Sequence, residues 1–164
     1  MKVALVIDNC IMIDLDATDR RLLDILQSDA SLSNQELAAR AATSPATALR
    51  RVRRLVDAGV IAARVAILSP QALGDGLTAL VEITLDRQGA EHLDAFEQRA
   101  MADVSVQQCY RVSPGPDFML VIYAADMSAY LAVVHRLFTQ DANVRNVKAF
   151  FSVKRAKFDL RLPL

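Results

Sequence analysis

Between Ser44 and Gly59 the chain spells out a helix with two opposed faces, so any fold that houses it must bury one and bare the other. Ser44 is a good N-cap, Pro45 suits the first helical position, and Gly59 suits a left-handed stop. At about 100° per residue, Ala48, Leu49, Val52, Leu55 and Val56 gather in one sector. Thr47, Arg50, Arg51 and Arg54 gather in the opposite one, with Arg53 off that sector and available for an intramolecular pair. Guanidinium groups neutralise phosphate and read guanine bidentately, so this helix has the chemistry to enter a DNA major groove.

The preceding residues supply the frame for such a helix. Ser33-Asn34-Gln35-Glu36 reads as a capping box, with Leu32 and Leu37 placed as a hydrophobic staple around it. A short helix through Leu37, Ala38 and Ala41 follows, and Ala42-Thr43 leaves only a tight turn before Ser44. Upstream, Asp16-Ala17-Thr18-Asp19 caps a further helix carrying Leu22, Leu23 and Leu26. Downstream, Val60–Leu68 is apolar and β-branched, ends at Ser69-Pro70, and reads as a strand or wing. Three helices and a strand make a winged helix-turn-helix.

With 164 residues, 53% hydrophobic and 23% charged, the chain is long enough for one large or two small folded domains. Its formal net charge of zero would not announce a nucleic-acid binder. The charge is local instead: four Arg and one Asp lie in 44–58, so specificity rests on geometry and dimerisation more than on bulk attraction. Cys10 and Cys109 form no metal spacing or disulfide framework, which fits a reducing cytoplasm, and Cys109 reads as a buried small hydrophobe. Val3–Ile13 is too short for a membrane span and a poor signal peptide; it reads as an extra strand, with Met12 an alternative start. His92 and His135 lie on different helices without metal-ligand neighbours, and no nucleophile elbow, P-loop, dinucleotide fingerprint or HExxH is present. Neither an enzyme nor a metal or cofactor is expected.

Around Ser69–Gly76 a proline and two glycines mark a hinge. Beyond it, Ala79–Leu85 alternates as a strand, Leu93, Phe96 and Ala100 mark a helix over about 90–102, and Val106–Val112 and Phe118–Ala124 are strands. Asp126 caps a helix with Tyr130, Val133, Val134 and Leu137 facing inward, and Val147, Ala149, Phe151 and Val153 form a last strand. The order β-α-β-β-α-β is the ferredoxin-like arrangement, with two helices on one face of an antiparallel sheet. Leu80 and Phe150 leave the other face apolar, which predicts pairing with a second copy through the sheet.

Taken together, Leu15-Asp16-Ala17-Thr18-Asp19-Arg20-Arg21-Leu22-Leu23, Ser44-Pro45, Arg51-Val52-Arg53-Arg54-Leu55, Gly59-Val60-Ile61, Cys109-Tyr110, Asp117-Phe118 and the Lys157…Leu162-Pro163-Leu164 ending resemble the leucine-responsive regulatory protein/AsnC (feast/famine) family. The resemblance runs from about Leu15 to Leu164. It implies an α+β chain with an N-terminal winged helix-turn-helix, a ligand-sensing ferredoxin-like domain, dimers assembling further to octamers, and an amino-acid effector bound between dimers. Three departures stand out. Ala42-Thr43 replaces the family's Gly-Leu before the recognition helix, Pro114-Gly115-Pro116-Asp117 replaces its Gly-Asp-Tyr-Asp type of loop, and Val147 and Ala149 replace hydroxyl residues that face the effector. A buried polar ligand needs polar partners, so these losses favour an apolar amino acid, another small molecule or no effector.

The expected layout is an extension over 1–13, the DNA-binding domain over 14–68, a hinge over 69–76, and the sensing and oligomerisation domain over 77–164. Ser44, Thr47, Arg50, Arg51 and Arg54 are the expected contacts to double-stranded DNA, and Pro114, Gly115, Asp117 and Ala149 the expected effector contacts. Asp117 reads equally well as a turn residue, Ser152 as an ordinary strand hydroxyl, and Lys154, Arg155 and Lys157 as a solvated basic cluster. The expected function is a cytoplasmic, sequence-specific transcriptional regulator. Its rivals are an architectural DNA-binding protein and a ligand-binding or metabolic protein built on the ferredoxin-like half.

Overall fold

The computed structural model describes residues 13–164; the strand expected over Val3–Ile13, with Cys10 and Met12, falls almost wholly outside the described residues. Contacts divide the chain into two units, one running through Ile67 and joined by Lys157–Leu164, the other spanning Leu68–Ala156. The chain thus passes from one unit to the other twice, and 157–164 folds with the first unit although its sequence position follows the second.

The first unit contains α1 (Ala17–Ser28), α2 (Asn34–Arg40) and α3 (Pro45–Asp57). Two capping boxes start α1 and α2: Asp16 with Asp19, and Ser33 with Glu36. Ser44 caps α3 by accepting from the Thr47 N–H. Leu22, Leu37, Ala38, Ala41, Ala48 and Val52 form the core, with Leu32 and Ile61 packed against it. The turn between α2 and α3 closes without glycine because Ala42 takes a left-handed φ of 52°. Asn34 clamps that turn by donating to the Pro45 carbonyl at 2.8 Å, and Arg21 donates to the Ala41 carbonyl at 3.3 Å.

Two expectations need correction here. Leu49 and Val56 are exposed rather than buried, because the neighbouring helices cover only the narrower stripe of Ala48, Val52 and Leu55. Val60–Leu68 forms no strand either. Its β-branched residues suit a sheet, but no strand of the described residues pairs with them, and Val65, Ile67 and Leu68 stay exposed.

The second unit begins with a single helical turn, α4 (Pro70–Leu73), inside the expected hinge. It continues as β1 (Leu77–Leu85), α5 (Ala90–Ala102), β2 (Val106–Arg111), β3 (Phe118–Ala124), α6 (Met127–Val134) and β4 (Val144–Phe151). A π-helical turn over His135–Thr139 extends α6. The strands lie antiparallel in the order β2-β3-β1-β4, as the βαββαβ reading requires. Alternation along β1 and β3 turns Ala79, Val81, Ile83, Leu85, Phe118, Leu120, Ile122 and Ala124 toward Phe96, Ala100, Tyr130, Val133 and Leu137 of the helices. The last strand starts three residues before Val147 and stops at Phe151, so Val153 lies beyond it, fully exposed. On the opposite face Leu80 is paired with Phe150 across β1 and β4, and both remain about half exposed.

Candidate nucleic-acid interface

The first turn of α3 is open to solvent, with Ser44, Pro45 and Ala46 exposed. The Ser44 hydroxyl donates to the Thr47 hydroxyl at 2.9 Å, holding both at the positive end of the helix dipole, where phosphate is favoured. From there the four arginines divide into two pairs.

Arg51 and Arg54 turn toward α1. Arg51 reaches Asp16 at 2.6 Å and Asp19 at 3.0 Å, and Arg54 reaches Asp19 at 2.5 Å. The Asp19 side chain is 1% exposed, whereas those of Arg51 and Arg54 are 22% and 45% exposed. A carboxylate so buried requires a cation, and here it has two. The Asp16 carboxyl is pulled down to about 2, first by the Asp19 backbone N–H it accepts and then by Arg51. Its own hydrogen bonds to Asp16 and then to Asp19 push the Arg51 guanidinium further up. Among the described residues the buried Nε of Arg51 has no hydrogen-bond partner.

Arg50 and Arg53 make no ion pair or hydrogen bond among the described residues. Both line a shallow depression along α3 with Ala46, Leu49 and Asp57. The intramolecular pairing thus falls on other residues than expected: Arg51 and Arg54 form the ion pairs, and Arg53, set aside for one, stands beside Arg50. The sequence carried a signal for this. Asp19 lies on the same i, i+3, i+4, i+7 stripe as Leu22, Leu23 and Leu26, so an inward carboxylate was due a cationic partner.

The other expected cluster is not assembled within one chain. Pro114 and Gly115 are exposed in a turn whose Ser113–Pro114 peptide is cis and whose Gly115 has φ 127°. The Asp117 carboxylate accepts from the Leu85 N–H at 2.7 Å and from the Gln88 side chain at 3.3 Å, and its own N–H donates to the Ile83 carbonyl. Asp117 thus pins the turn to the end of β1. Ala149, on β4 in register with Val81 of β1, lies on the other side of β1 from that turn. Elsewhere, burial pushes the Cys109 thiol up to about 11, which suppresses the thiolate.

Known proteins share this arrangement over most of its length. The family model for the winged helix-turn-helix DNA-binding domain matches residues 15–62, and that for the Lrp/AsnC ligand binding domain matches 78–162. An uncharacterised HTH-type transcriptional regulator of Haemophilus influenzae is 37% identical over 151 residues, covering 92% of this chain and 90% of that protein. The leucine-responsive regulatory protein of Escherichia coli K12 is 34% identical over 149 residues, 91% of each. A transcriptional regulator from Neisseria meningitidis, solved as a complex with L-methionine, superposes with a TM-score of 0.84 at 30% identity, covering 92% of this chain and 97% of that one. A helix-turn-helix with two arginines unpaired among the described residues, a βαββαβ unit after it in the sequence, and matches to both halves lead to one assignment: the chain belongs to the Lrp/AsnC family of DNA-binding transcriptional regulators.

Proposed function

We propose that this regulator reads specific duplex sites with the exposed side of α3, works as a dimer joined through the open face of its sheet, and answers to an amino acid. The pair of unpartnered guanidinium groups on α3, Arg50 and Arg53, carries the reading. With Ser44 and Thr47 at the helix start contacting phosphate, these two arginines reach base edges, while Arg51 and Arg54 hold the helix on α1. A two-fold dimer would present two such helices to half-sites about one helical turn apart, roughly 34 Å.

The exposed Leu80–Phe150 pair supports the dimer, since an apolar sheet face left in water favours self-association. L-methionine in the Neisseria meningitidis relative supports an amino-acid effector. In this chain, with Val147 and Ala149 in place of hydroxyls, we infer an apolar amino acid bound near Pro114, Gly115 and Asp117. Ala149 would then join the site only from a neighbouring copy. Assembly to octamers belongs to the same proposal, with effector binding biasing the spacing of reading heads along DNA.

In vitro selection of bound duplexes, followed by affinity measurement with Arg50→Ala and Arg53→Ala, tests the reading face. Each replacement should cost about 1–3 kcal/mol on the selected duplex and less on random sequence. Equal affinity for selected and random duplexes would instead mark an architectural binder, and unchanged affinity in both variants would remove α3 from the interface. Repeating the selection with a panel of amino acids, with sedimentation alongside, tests the effector; no change in affinity or assembly with any of them overturns it.

A further inference from the structure

The first unit is built from both ends of the described chain. Its last component, 157–164, is held by α1 in a particular way. Gln27 grips one residue of that segment twice: its amide NH2 donates to the Leu162 carbonyl at 3.1 Å, and its amide oxygen accepts from the Leu162 N–H at 2.6 Å. A side-chain amide used in this way imitates a peptide group of a neighbouring strand. Leu162 and Leu164 form one wall of a largely apolar cleft of about 270 Å3, and Leu15, Leu23, Leu26, Val60 and Ile61 are among the residues that line the rest, together with Arg64. Charge agrees with shape, because Arg161 is raised first by its pair with Asp159 and further by the negative charge of Asp24 on α1.

From this grip we infer that Lys157–Leu164 is a working part of the DNA-reading unit, a clasp whose seat is the outer side of α1. Near its start α1 holds Arg51 and Arg54 of α3 through Asp19; near its end it holds the clasp through Gln27. Releasing 157–164 would open the cleft beside Leu23 and Leu26, loosen α1, and with it the platform on which the Arg50–Arg53 side of α3 is displayed. The reading head would then spend part of its time unfit to bind, and apparent affinity would fall by that fraction. The DNA-affinity part rests on the proposed reading face; the stability part does not.

The test compares the full chain with one stopped after Ala156 and with Gln27→Ala. Two readouts are used: amide hydrogen exchange along α1, and affinity for a selected duplex. The shortened chain should exchange α1 amides about tenfold faster, as expected for the loss of two hydrogen bonds and an apolar contact. Its duplex affinity should fall about fivefold, and a synthetic peptide of residues 157–164 should restore both. Gln27→Ala should move both readouts the same way by less, which decides the matter if the shortened chain fails to fold. Unchanged α1 exchange in Gln27→Ala, together with unchanged exchange in any folded shortened chain, overturns the clasp. If the full chain bound no duplex at all, the reading face would fall, and α1 exchange would still judge the clasp.

Discussion

Asp19 stands at the centre of the reading head. It is a buried carboxylate in the first turn of α1, shared by two arginines that come from another helix. Replacing it with Ala leaves Arg54 without its ion-pair partner and Arg51 with Asp16 alone, and removes half of a capping box. We expect Asp19→Ala to lower unfolding stability by about 2–3 kcal/mol, less than for a fully buried pair because both arginines reach water. Denaturant unfolding checks this, with the exposed Asp57→Ala as a control that should change little. Ala42 runs the other way. An L-residue at φ 52° carries roughly 1 kcal/mol of steric cost that glycine does not. Ala42→Gly should therefore raise stability by about 0.5–1 kcal/mol, visible as a melting temperature a few degrees higher. The departure at Ala42-Thr43 was plain in the sequence. What the chain does about it, a strained alanine, was not, because propensity says nothing about which residue of a turn accepts the strain.

At the level of elements, the caps and periodicities translate almost directly into structure. Asp16, Ser33, Ser44 and Asp126 each accept from their helix's first turn, and every strand of the βαββαβ unit lies close to its alternating pattern. The misreadings have a common cause. Period alone placed Leu49 and Val56 inside, but how wide a stripe is buried depends on the helices packed against α3, which the window around α3 does not contain. Likewise 60–68 has strand chemistry without a strand partner, and the division of the arginines depends on α1, more than thirty residues upstream. The α1–α3 tie also makes the head sensitive to acid. Because the folded Asp16 carboxyl sits at about 2, below its ordinary value of 3.8, its contribution is complete above pH 4 and disappears as pH drops through 2. Asp29 and Glu36, also lowered by hydrogen bonds from Ser31 and Ser33, add to the same trend. Melting followed by circular dichroism should show the first unit weakening from pH 4 to pH 2, and Asp16→Asn, which can still cap, should flatten part of that slope.

For the whole molecule, the open sheet face is where the proposed dimer would join. Leu80 and Phe150 lie side by side on it, next to the Glu82–Lys148 pair at 3.9 Å. A stable dimer needs well over about 1,000 Å2 of buried surface, so a charge placed at the middle of this patch should be decisive. Phe150→Glu should sediment as a monomer and bind a two-half-site duplex much more weakly than wild type, yet keep its circular dichroism spectrum. A dimer that survives the change would move the interface elsewhere. That the chain would form two modules was legible from its glycines and changing periodicity. That one module would recruit residues from the far end of the chain was not, since Gln27 and Leu162 are 135 positions apart and no local pattern joins them.

That long reach has a consequence for how the protein is made. A ribosome releases α1, α2 and α3 early, but Lys157–Leu164 emerges only after the entire sheet unit has been synthesised. Until then the first unit lacks one wall of its cleft, so, on the clasp inferred above, a nascent chain would hold α1 and α3 less firmly than one that carries 157–164.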